Sequence, residues 1–126
     1  MMKKTVLVVD DSATLRASVE FTLSEEGYTV LHAENGGEAL TLLSRLMGNG
    51  DELGMIITDV NMPGMDGITF VREVKRTAFR FTPILVMTTE SQDSKKNEGR
   101  EAGATGWLVK PFKPQQLIDV VARFAS

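Results

Sequence analysis

Apolar positions along the chain follow two alternating rhythms. Short continuous apolar runs occur at Thr5–Val9, Met55–Thr58, Ile84–Thr88 and Gly106–Val109, each bounded by turn residues or acids, and Tyr28–His32 is a weaker fifth. Between them the spacing becomes helical. Leu15, Val19 and Leu23 recur every four residues. Ala39, Leu40, Leu43 and Met47 share one face, as do Phe70, Val71 and Val74. Leu117, Val120, Val121 and Phe124 complete an i, i+3, i+4, i+7 stripe. Strand and helix therefore alternate five times. That alternation predicts βαβ units, a doubly wound five-stranded parallel sheet and an α/β fold with helices on both faces. The runs are apolar throughout rather than alternating, as expected of strands covered on two sides.

Two stretches depart from this rhythm. Met47-Gly48-Asn49-Gly50-Asp51-Glu52 reads as a polar, glycine-rich loop before the third strand. Ser91–Glu101 is helical in spacing but has almost no apolar stripe and carries Gly99 inside it. A helix with so little to bury draws little stability from packing, so it is expected to be the least stable regular element and mobile.

Composition narrows the class. The 126 residues suit one domain, 1–126, and 42% are hydrophobic, enough for a core. A net charge of -3 and a pI near 5.2 argue against a nucleic-acid surface. No cysteine is present, which excludes disulfides, thiolate zinc sites and a Cys nucleophile. The opening apolar run stops at Asp10, too soon for a signal peptide, and no run approaches a membrane span. A monomeric cytoplasmic protein without membrane contact is the expectation.

Ligands of a parallel α/β sheet gather at the carboxyl ends of its strands. Here those ends carry Asp10-Asp11, Glu34-Asn35, Asp59, Thr88-Thr89 and Lys110. Each alone is ordinary: Ser12 or Asp11 suits a helix N-cap, a lone Asp suits a turn, and Lys110 before Pro111 suits a solvated surface. Together they bring acids, a hydroxyl and a cation to one rim. Two carboxylates about 4 Å apart repel by about 4 kcal/mol at an effective dielectric near 20. Lys110 offsets part of this, and a hard divalent cation, Mg²⁺, would offset more. With His32 the only histidine, zinc and softer metals are disfavoured, and His32 itself fits packing at a sheet edge. A carboxylate, a metal, a cation and a hydroxyl suit phosphoryl transfer through an aspartyl phosphate. No Ser-His-Asp set and no phosphate-binding glycine loop ending in Lys-Ser/Thr is present.

The segments Val8–Ser12, Ile57–Gly67, Val86–Glu90 and Gly103–Phe112 together resemble the receiver domains of bacterial two-component systems, in order and over the whole chain. The nearest type is the stand-alone chemotaxis regulator. The resemblance implies a flavodoxin-like sheet of order 2-1-3-4-5 with five helices. It implies that Asp59 is the phosphoacceptor, that Asp11, Asp59 and the Asn61 carbonyl ligate Mg²⁺, and that Asp10 acts through metal-bound water. Lys110 resembles the Lys that contacts the phosphoryl group, and Thr88 the switch hydroxyl. Trp107 stands where the family places a smaller aromatic that changes rotamer. Lys110–Pro111 resembles a cis peptide. Asn61 and Glu90 flank the acceptor as in fast-resetting regulators, whereas Thr89 replaces a smaller residue. The loop around Gly48 to Gly54 is longer than the family's.

The implied partners are a histidine kinase as donor, a target protein, and a phosphatase. The target would dock on the face made by Ser91–Glu101, Gly106–Val109 and Pro114–Phe124. No output domain is expected beyond the fifth helix, so output is expected by partner binding, with no enzymatic turnover beyond the protein's own phosphorylation and dephosphorylation. Two rivals remain: a phosphorelay intermediate, and a Mg²⁺-dependent phosphohydrolase of small substrates. The second is disfavoured because the chain leaves little room for a substrate cap.

Overall fold

The structure, a computed structural model, describes residues 4–89 and 93–125. Five strands, β1 (Thr5–Val9), β2 (Thr29–Ala33), β3 (Met55–Asp59), β4 (Ile84–Thr88) and β5 (Gly106–Val109), alternate with five helices. The helices are α1 (Ala13–Glu25), α2 (Gly36–Asn49), α3 (Gly67–Val74), α4 (Asp93–Ala102) and α5 (Pro114–Phe124). The sheet runs β2-β1-β3-β4-β5, and every neighbouring pair is parallel. This is the flavodoxin-like architecture expected from the sequence.

The continuous apolar strands are explained by two cores, one on each face. Successive side chains of a strand point to opposite faces. Leu7, Val9, Ile56, Ile84 and Val86 meet Ala39, Leu43, Phe70, Val71 and Val74 of α2 and α3. Val6, Val8, Met55, Ile57, Leu85 and Met87 meet Val19, Leu23, Leu117 and Val121 of α1 and α5. Each fully buried side chain of this size contributes about 1.5–3 kcal/mol, so the central strands form a stiff floor under whatever stands at their ends.

Several boundaries differ from the sequence reading; β2 ends at Ala33 rather than His32 and β3 at Asp59 rather than Thr58. The second strand begins at Thr29 rather than Tyr28, because the Tyr28 N–H is spent closing the end of α1 on the Leu23 carbonyl, 3.1 Å away. Helix α2 does not stop at Met47. Gly48 and Asn49 are helical, and Gly50 ends the helix in the left-handed conformation (φ 74°). Its N–H and that of Asp51 close onto the Met47 and Leu46 carbonyls, a Schellman-like end. The α2–β3 loop is therefore shorter than expected. The α2 stripe also turns away from Met47, which is exposed, and Leu46 packs on the core instead. At about 100° per residue, Leu46 lies roughly 20° from Ala39 around the helix and Met47 roughly 80°. Finally, the fourth helix runs Asp93–Ala102, and Ser91 and Gln92 lie outside the described residues. Of the described α4 side chains, only Gly99 and Ala102 are buried.

Candidate functional site at the carboxyl rim

The rim is set by where the strands stop. The Asp10 N–H bonds the Ala33 carbonyl at 3.1 Å, one step beyond β1, which carries the Asp10 side chain inward to 1% exposure. Its Oδ1 accepts the Ser12 N–H at 2.8 Å, and Ser12 caps α1 by accepting the Leu15 N–H at 3.1 Å. Of the two capping candidates, Ser12 takes the role and Asp11 is left exposed on the rim. Asp59 ends β3 and is 7% exposed. Helix α3 starts directly against it. A Cβ on Gly67 would collide with the Asp59 carbonyl oxygen, so only glycine permits the approach. Asp66 then caps α3, its Oδ1 accepting the Thr69 N–H at 2.7 Å.

Lys110 reaches in from the end of β5. Its backbone N–H donates to the Thr88 carbonyl at 2.7 Å, and the Lys110–Pro111 bond is cis. Its Nζ donates to Asp10 Oδ2 at 3.0 Å and pairs with Asp59 Oδ1 at 3.4 Å. Burial pushes the Asp59 carboxyl above its ordinary value. Lys110 pulls it down, the neighbouring Asp10 charge pushes it up again, and an N–H bond from the Asn61 backbone pulls it down, but burial prevails. Asp10, Asp11 and Asp59 each offer a carboxylate oxygen, and these oxygens lie within 4.8 Å of one another. The donor set is all oxygen, with no imidazole or thiolate, and suits a hard cation. Beside it opens a cleft of about 610 Å³, bordered by Asp11, Asn61, Pro63 and Asp66, with Arg72 and Glu98 on its far wall.

Thr88 is fully buried at the end of β4, next to this cluster, and Thr89 is exposed. Glu90 lies outside the described residues. Trp107 on β5 stands apart from the acids. It is half-buried and packs against the α2–α3 core. His32, one residue before the end of the edge strand β2, bonds Glu20 at 2.7 Å and is not part of the acid cluster. Arg16 was not among the sequence candidates. Its Nη1 donates to the Asp10 backbone carbonyl at 2.8 Å, while its Nε is buried without a partner among the described residues. Nothing in the sequence marks a contact whose acceptor is main chain.

A family profile described as response regulator receiver domain matches residues 6–122. The chain belongs to that family. As a receiver it is similar to chemotaxis protein CheY1 of Helicobacter pylori, 42% identical over 114 residues and 89% of each chain. It is 36% identical to the transcriptional regulatory protein ResD of Bacillus subtilis over 90% of this chain, and spans 44% of ResD's length. Among solved structures it resembles Vibrio cholerae chemotaxis protein CheY4, with a TM-score of 0.87 and 45% identity, covering 98% of this chain and 99% of that one. The chain is thus a receiver domain of two-component signalling, a module switched by phosphorylation, and its acid cluster can hold a metal ion. Among the described residues no helix is long and apolar enough to cross a membrane.

Proposed function

We propose that Asp59 accepts a phosphoryl group from a histidine kinase, and that the phosphorylated receiver binds a target protein as a chemotaxis-type switch. The observation that carries this reading is the placement of Lys110 Nζ between Asp10 and Asp59, with the Asp11 carboxylate in reach. A carboxylate oxygen of Asp59 attacks the phosphorus of a phosphohistidine. The new P–O bond forms as the P–N bond breaks, and the imidazole leaves with the electron pair. Lys110 is placed to follow the charge from carboxylate to phosphoryl oxygens. Asp11, Asp59 and the Asn61 carbonyl would hold Mg²⁺, with Asp10 acting through metal-bound water, and the ion would supply further charge neutralisation. Thr88 turns its hydroxyl toward the phosphoryl group, and Trp107 follows into the space it leaves. The target docks on α4, β5 and α5, and a phosphatase resets the switch. The protein works as a cytoplasmic monomer and turns over no substrate besides its own phosphoryl group.

The chemotaxis type is favoured by identity: the chain is 42% identical to CheY1 and 45% identical to CheY4, against 36% to ResD. Phosphotransfer from a panel of histidine kinases is the test. At least one kinase is expected to label the protein in Mg²⁺, with no label on Asp59→Ala. Labelling that survives Asp59→Ala would refute the acceptor, and a phosphoryl lifetime of hours would favour a relay.

A further inference from the structure

Helix α4 carries a glycine where a helix gains most from alanine. Gly99 sits mid-helix, buried, in an otherwise polar run. It makes no turn: the helix continues to Ala102, and the left-handed residue that ends it is Gly103 (φ 113°). The reason for glycine lies across the gap, on β5. A Cβ on Gly99 would stand 3.0 Å from Cζ3 of Trp107 and 3.4 Å from Cε3. The benzo edge of the indole thus fills the volume that alanine's methyl group would take.

The opposite edge of the same ring carries the only indole N–H of the protein. That Nε1 is buried and has no hydrogen-bond partner among the described residues. Buried indole N–H groups ordinarily find an acceptor, and one left without remains a standing cost. The ring is therefore held by apolar contact alone, against α4 on one side and the core on the other. This position accompanies the arrangement in which Lys110 engages the free carboxylates of Asp10 and Asp59.

We infer that Gly99 is a positioning residue of the switch: it provides the seat of Trp107 in the unphosphorylated receiver, and this contact sets how readily the ring leaves. The inference rests on the phosphorylation reading above and assigns to a glycine on α4 the tuning of its equilibrium. A methyl group at residue 99 takes volume from the seat and none from the space beside Thr88. It should bias the protein toward the state that the phosphoryl group favours, because an effector and a conformational bias act on one equilibrium.

Three measurements on the full chain test this. In the first, Gly99→Ala is made with Trp107 present and with Trp107→Ala. With the ring removed, the substitution should raise the melting temperature by about 3–5 °C, as expected for glycine to alanine in a helix. With the ring present, that gain should vanish or reverse. An equal gain in both backgrounds overturns the seat. In the second, Gly99→Ala alone should move the Trp107 emission maximum without any ligand, and an unchanged spectrum overturns it as well. In the third, beryllofluoride with Mg²⁺ is titrated as a phosphoryl mimic. Half-saturation should come at about fivefold lower concentration in Gly99→Ala. Unchanged or weaker binding overturns the bias. Failure of the underlying reading looks different: the unaltered protein would then bind the mimic with no change in Trp107 emission.

Discussion

The carboxyl rim and the α4–β5 face are built on opposite terms. At the rim, the buried Asp10 and Asp59 and the half-buried Lys110 are tied to one another and to the backbone, at the ends of a sheet whose central strands β1, β3 and β4 have no exposed side chain. On the α4–β5 face, a polar helix buries little, and an aromatic ring rests against a glycine with its N–H unmatched. Charges in low dielectric respond steeply to any change in local charge, whereas weakly packed elements move at little cost. The difference teaches where a receiver detects and where it yields. On the proposed reading, a phosphoryl group would be felt where charges are confined, and the displacement would appear where packing is thin.

The comparison breaks most visibly if the rim loses its cation. Lys110→Met leaves Asp10 and Asp59 facing each other with no counter-charge. Urea unfolding without metal is expected to show a loss of about 3 kcal/mol, the scale of breaking one side of a buried ion pair. Millimolar Mg²⁺ should recover more stability in this variant than in the unaltered protein. Equal metal responses would mean that the acids and the cation site are unrelated.

Removing one acid should act in the other direction and less strongly. Asp59→Asn is expected to stabilise the metal-free protein at neutral pH by about 1–2 kcal/mol, the part of the Asp10–Asp59 repulsion that Lys110 leaves uncompensated. The folded protein holds the Asp59 proton more tightly than the unfolded chain, whose ordinary value is 3.8. Its contribution is therefore full below that value and is lost as pH rises through the elevated folded one. The two proteins should converge in acid and diverge toward neutral pH, as followed by thermal melts across that range. Saturating to ten times the Kd should add about 1.4 kcal/mol to the unaltered protein and less to the variant.

The smallest effect on stability sharpens the comparison most. Thr88→Ala should leave mimic binding at the acids measurable while abolishing most of the beryllofluoride-induced change in Trp107 fluorescence. A full emission change in Thr88→Ala would separate the soft face from the rim. Reset kinetics give a further reading: exchanging Asn61 and Glu90 should alter the dephosphorylation rate more than the rate of phosphoryl uptake.

The rim was legible in the sequence because each central strand is an uninterrupted apolar run that stops at a charged or hydroxylated residue. Asp10, Asp59, Thr88 and Lys110 stand at those stops, and parallel topology brings them together. The end of α2 was less legible. Gly48 looks like a break, yet glycine ends a helix by its conformation, and the left-handed residue is Gly50. Met47 and Leu46 are both apolar, and only the helical angle decides which one faces inward. Contacts to main chain and contacts across long separations left no local mark. Arg16 on the Asp10 carbonyl, Gly67 beneath Asp59, and Gly99 against Trp107 are all of this kind.

The backbone bond from Lys110 to the Thr88 carbonyl, 2.7 Å long, has a mechanical consequence. The residue proposed to sense the phosphoryl group by its hydroxyl also holds, by its carbonyl, the strand end from which the cation projects. Sensor and counter-ion are thus yoked at the main chain, like two pointers on one shaft. A shift of the end of β4 toward Asp59, as proposed for the switch, would carry the root of Lys110 with it, so recording the phosphoryl group and reporting it would be parts of a single stroke.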